Sequence, residues 1–161
     1  MLNTKWRSIC GVVLLVCLVE AVNSQDKPKW LGEVERSLQR EGWKETRKNT
    51  SIDSKTKKFV SVSVLLENNE THASIVIGQQ ASVSEARDQF RSLLLAYKVT
   101  KKEATVNKYV GLGDENVAVG GEGWVKITFR KGRVITDVLP SPEETAERVA
   151  RLVAAAIPGK N

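Results

Sequence analysis

The chain predicts an α+β domain, an antiparallel sheet with helices packed on one of its faces, in the order α-βββ-α-βββ-α. Three observations predict it. Alternating apolar and polar segments come in pairs around turn residues, other segments carry apolar residues at helical spacing, and serine-led helix starts follow the strands. At 161 residues the chain has room for one core and one domain.

Ahead of that domain, Lys5 and Arg7 precede an apolar run over 9–19, and Ala21-Val22-Asn23-Ser24 supplies a small-residue exit. This is the layout of a secretory signal peptide over 1–24, with cleavage expected after Ser24 and a cut after Ala21 as the competitor. Retention as a membrane anchor and lipid attachment at Cys17 are the alternatives; Val16 stands where a lipoprotein signal wants a small residue. The expected location is secreted or periplasmic. Both cysteines, Cys10 and Cys17, lie in the apolar run, so the exported domain over 25–161 holds none and depends on burial alone. That tilts the source towards a bacterium, since small secreted animal domains are commonly disulfide scaffolds. The triplets beginning at Asn49 and Asn69 match glycosylation sequons and are taken as chance matches in a polar chain.

Trp30, Leu31, Val34 and Leu38 fall on one side of a helix that ends near Gly42. Residues 43–49 read as a polar edge strand and 49–57 as a charged, serine-rich loop. Residues 59–66 and 71–78 alternate as a hairpin about Asn68-Asn69, which opposes Leu66 to Thr71, Val64 to Ala73, Val62 to Ile75 and Val60 to Ile77. Ser82 and Glu85 form a capping box for a helix whose stripe is Ala86, Phe90, Leu93, Leu94 and Tyr97. A basic link over 99–102 and a strand towards Val110 lead to Gly111-Leu112-Gly113-Asp114-Glu115, a tight turn whose glycines take positive φ.

A strand over 116–119, a turn over 120–123 and a hairpin of 124–130 with 133–139 follow. With Lys131-Gly132 at its tip, that hairpin opposes Phe129 to Val134, Ile127 to Thr136, Val125 to Val138, Lys126 to Asp137 and Arg130 to Arg133. Ser141-Pro142-Glu143-Glu144 announces a last helix with Val149, Leu152, Val153, Ala156 and Ile157 on its buried stripe. The two halves share an order of elements, with too little residue identity for a duplication.

Function is less legible. Without the signal peptide, the 25 basic residues lose Lys5 and Arg7 and the 19 acidic residues lose Glu20, leaving a net charge of +5. The excess gathers at Lys44, Arg47, Lys48, Lys55, Lys57 and Lys58, at Lys98, Lys101 and Lys102, and at Arg130, Lys131 and Arg133. Such a surface favours anionic partners outside the cytoplasm, phospholipid headgroups or acidic polysaccharide. Nucleic acid is not expected, because the aromatics do not interleave with the basic residues. Arg130, Lys131 and Arg133 are the candidate anion site, and Trp124, Ile135 and Leu139, which share one side of the hairpin, are the candidate partner surface for another protein or a second copy.

Catalysis finds little support. The lone histidine, His72, lies on a strand without an evident carboxylate partner, and ordinary zinc sites lack ligands. Ser54 and Lys57 match a serine acyl-enzyme spacing but sit in a charged loop. The 111–115 loop lacks both a following helix for phosphate and the acid spacing of a calcium site. A hydrolase would need Asp114, Glu115 and Glu122 to converge. No cofactor and no metal are expected; the expectation is a non-catalytic binding or sensing module, with a homodimeric structural protein as the alternative.

The Gly-Asp-Glu loop at 113–115, the segment Val125-Lys126-Ile127-Thr128-Phe129-Arg130-Lys131-Gly132-Arg133-Val134 and the alanine-rich terminal helix resemble a loose group of exported bacterial domains in which such a loop precedes an Arg-x-Gly hairpin. In element order the chain is also distantly similar to extracytoplasmic sensor domains of bacterial Ser/Thr kinases. The likeness covers about a third of the chain and implies an extracytoplasmic binding or sensing domain, with no catalytic residues carried over.

Overall fold

The computed structural model describes residues 27–56, 58–69, 71–99 and 103–159. The signal peptide expected over 1–24, and Lys57, Lys101 and Lys102 of the basic clusters, lie outside them. Ten elements follow in order: α1 (Lys29–Arg40), β1 (Lys44–Ile52), β2 (Phe59–Glu67), β3 (His72–Gln79), α2 (Val83–Val99), β4 (Ala104–Val106), β5 (Glu115–Gly121), β6 (Trp124–Lys131), β7 (Val134–Ser141) and α3 (Glu143–Ala156). All seven strands join one antiparallel sheet in the order β1-β2-β3-β7-β6-β5-β4. The protein is an α+β fold in the expected succession of helix, strands, helix, strands, helix, with four strands rather than three in the second run.

The helices do not share one face of the sheet. Leu31, Val34 and Leu38 of α1 and Val149, Ala150 and Val153 of α3 close over Val62, Val64, Ile75, Ile77, Ile127, Phe129 and Val138. On the reverse side, α2 lays Ala86, Phe90 and Tyr97 on Val117, Val119 and Ile135. The physical reason lies in β5, where Asn116 to Val119 are all buried, as in strands covered on both faces. Because β3 and β7 pair antiparallel, a twofold axis relating the halves would run normal to the sheet and keep α2 and α3 on one side. They lie on opposite sides, so the shared order of elements is not a twofold repeat.

Both predicted hairpins form, each displaced by two residues. In β2–β3, Leu66 faces Ala73, Val64 faces Ile75 and Val62 faces Ile77. Beyond the Glu67–His72 pair, Asn68 N–H donates to the Thr71 carbonyl at 3.0 Å and Thr71 N–H to Asn68 Oδ1 at 2.9 Å. In β6–β7, Ile127 faces Val138, Phe129 faces Thr136 and Lys131 faces Val134. Its tip is therefore Gly132-Arg133, with Gly132 at φ +58, a conformation that a lysine adopts only at a cost. A slip of two keeps every side chain on its own face, so the predicted core stands although the cross-strand pairs change. Arg130 faces Ile135 and not Arg133, and Asp137 faces Thr128.

The capping box ahead of α2 is present. Glu85 N–H donates to Ser82 Oγ at 3.0 Å, and the Glu85 carboxylate reaches back to Ala81 N–H at 3.0 Å. Ser82→Ala should cost about 1 kcal/mol, read as a lower urea midpoint at unchanged slope. Ser141 differs: it gives no cap, its hydroxyl turns to the Leu139 carbonyl at 3.1 Å, and α3 starts at Glu143 behind Pro142. Its first turn is held instead from outside, by Tyr109 Oη donating to Glu143 at 3.0 Å and by Lys108 at 2.6 Å.

Candidate functional site

At one end of the sheet the β6–β7 tip, the start of β2, the entries to α1 and α2 and the tail after α3 surround a cleft of about 730 Å³. That volume lies in the range of small-molecule sites. Four cations, Lys27, Lys58, Lys131 and Arg133, line it, and among the described residues no carboxylate does. Lys131 is committed elsewhere, its Nζ donating at 2.7 Å to the Ala154 carbonyl in the last turn of α3, where helical carbonyls lack partners. Lys27, Lys58 and Arg133 are exposed and make no ion pair among the described residues. The N-terminal turn of α2, at Ser82 and Val83, adds the positive end of a helix to the same wall. Trp30 and Phe59 supply an aromatic side, their rings 6.1 Å apart at 89°.

Two of the three predicted anion-binding residues, Lys131 and Arg133, are in this cleft, and Arg130 is not. Arg130 is 4% exposed. Its Nε donates to Glu115 at 2.6 Å, and its Nη1 to Asp114 at 2.9 Å and to the Gly132 carbonyl at 2.8 Å. Asp114 closes the circuit by accepting Gly132 N–H at 2.9 Å, while Asp114 N–H donates to the Arg130 carbonyl at 2.7 Å. Arg130 is thus an internal pin between the 111–115 loop and the hairpin tip. Lys27 and Lys58 line the cleft in its place, and the sequence offers no local signal for that, because only the tertiary fold brings the start of β2 and the entry to α1 near the β6–β7 tip.

The predicted partner surface does not form one patch. Ile135 lies under α2 at 7% exposure, Leu139 is half-buried, and Trp124, 39% exposed, edges a separate groove with Lys108, Glu122 and Glu143. α2 occupies the face that these residues were expected to offer. The exposed large apolar side chains of the sheet are scattered, at Val60 and Leu65 on β2, Val106 on β4 and Trp124 on β6.

Of the carboxylates of the hydrolase alternative, Asp114 and Glu115 meet on Arg130, while Glu122 stands apart from them in the Trp124 groove. His72 faces Glu67 at the turn end of β2–β3 and is exposed. Among the described residues, no three His, Cys, Asp or Glu side chains gather as a metal site. Beneath α2, Thr128 donates to Asp137, Lys126 Nζ sits 3.3 Å from the same carboxylate, and Lys126 stands over the Tyr97 ring. Burial is the largest single influence on Lys126 and by itself would lower its pKa, but Asp137 and Tyr97 together outweigh it and raise the value. Lys126 therefore contributes stability that is complete below the unfolded lysine value of about 10.4 and is lost as pH rises through the higher folded value. Lys126→Met should flatten the alkaline fall of a melting-temperature profile; an unaltered profile would count against this pair.

Compared with protein-family models, with curated proteins and with solved structures, the chain matches none.

Proposed function

We propose that this protein is a non-catalytic extracytoplasmic binding module whose ligand, an anionic polymer, is held in the basic cleft. The observation that carries this reading is a concave wall of cations, from separate segments of the chain, with no carboxylate among the described residues that line it. Like charges brought together repel one another, and a bound anion offsets that cost. The signal-like N-terminus supports export, and the hydrolase alternative gains no support, since Asp114 and Glu115 are both engaged by Arg130 while Glu122 lies at the other end of β5 in the Trp124 groove.

Replacing Lys27, Lys58 and Arg133 together with Gln tests it. At low salt the triple variant should lose on the order of 1 kcal/mol of binding free energy per charge towards a polyanion such as polygalacturonate or polyphosphate. All three side chains are exposed and unpaired among the described residues, so the melting temperature should stay within a degree or two of the parent. Calorimetric titration over a salt series reads both. Unchanged affinity in the triple variant would overturn the site.

A further inference from the structure

We infer that the ligand of this cleft is an acidic oligosaccharide, recognised by its sugar rings as well as by its charge. The inference rests on the cleft being the ligand site proposed above and adds the class of molecule that fills it. A simple inorganic anion is small and polar all round; it needs neither a cleft of about 730 Å³ nor an aromatic side wall. Here the half-buried Trp30 and the edge of the largely buried Phe59 add aromatic surface to a lining that also carries the cations. A sugar ring has the complementary build, with an apolar C–H face and a rim of hydroxyls.

The distribution of charge points the same way. Lys27 precedes α1, Lys58 precedes β2 and Arg133 sits at the hairpin tip, so the cations reach the cleft from three separate segments of the chain. That arrangement suits carboxylates or sulfates repeated along a chain. Gln79 adds a neutral polar side chain to the lining. A bilayer surface is broad and flat and meets convex or planar basic faces; cations lining a concave wall are poorly placed for it.

Titration of the purified protein with oligogalacturonate, its methyl-esterified neutral counterpart, tripolyphosphate, a nucleoside diphosphate and anionic phosphatidylglycerol vesicles separates the possibilities. The expected result is that oligogalacturonate binds most tightly and alters tryptophan emission, that the ester binds at least tenfold more weakly, and that Trp30→Leu weakens oligogalacturonate by roughly tenfold while changing tripolyphosphate less than twofold. Trp30→Phe keeps a ring in the wall and should recover part of the loss, which separates stacking from damage to the fold. Equal effects of Trp30→Leu on both anions, or tighter binding of the nucleotide or the vesicles, would overturn the sugar assignment and leave the basic cleft standing. No loss for any anion in the Lys27, Lys58 and Arg133 triple variant would overturn the cleft itself.

Discussion

Arg130→Met is expected to destabilise the protein by about 3 kcal/mol, because it removes the one cation between two carboxylates that the fold has already drawn inward. The Arg130 side chain is 4% exposed, while those of Asp114 and Glu115 retain 22% and 32%. Their residual contact with water places the cost near the lower end of the range for breaking a buried pair. The Gly132 carbonyl also loses its donor, and the hairpin tip is left held to the loop mainly by Asp114. Urea unfolding should show the loss as a shift in midpoint at unchanged slope. Adding Asp114→Asn and Glu115→Gln should restore part of the stability, since the uncompensated charges are then gone. A loss below 1 kcal/mol would mean that Arg130 does not pin the loop. By the same argument, replacing Arg130, Lys131 and Arg133 together would be no neutral surface change, because one of the three holds the interior.

Gly113→Ala should be comparably damaging, by roughly 3 kcal/mol or more, and Gly111→Ala much milder at about 1 kcal/mol. Both glycines have positive φ, +75 for Gly111 and +68 for Gly113, as the tight turn requires. The difference is what lies beside them. A β-carbon on Gly111 meets nothing within 4 Å, whereas one on Gly113 would sit 2.5 Å from the Arg130 carbonyl oxygen. That oxygen is backbone, and it already accepts the Asp114 N–H, so it cannot yield without opening the loop-to-hairpin seam. Thermal melts of the two variants side by side decide this; similar losses would show that the left-handed conformation matters and the close approach does not.

The two variants also show where sequence reasoning reached and where it stopped. That the glycines of 111–113 turn the chain with positive φ was legible, because φ preference is a property of one residue and its immediate neighbours. That one of them presses on Arg130 was not, since the contact joins β6 to a loop through a carbonyl that no residue identity announces. Ser82 behaves in the same local way and caps α2, while Ser141, in an equally suggestive sequence, turns its hydroxyl back to Leu139 because Pro142 takes the cap position.

By itself the sequence determined the type of each major element and which side of it is apolar: Leu31, Val34 and Leu38 on α1, Phe90 and Tyr97 on α2, Ile127 and Phe129 on β6. Periodicity encodes this within a few residues, and a register slip of two leaves it untouched. Only the tertiary structure decided what covers each side. It put α2 on the reverse face over Ile135, drew Arg130 out of the surface charge, and gathered Lys27, Lys58 and Arg133 around one cleft. The physical reason is that a side chain's charge or apolarity is local, whereas its role depends on the group that meets it, and here those partners come from strands and loops far away along the chain.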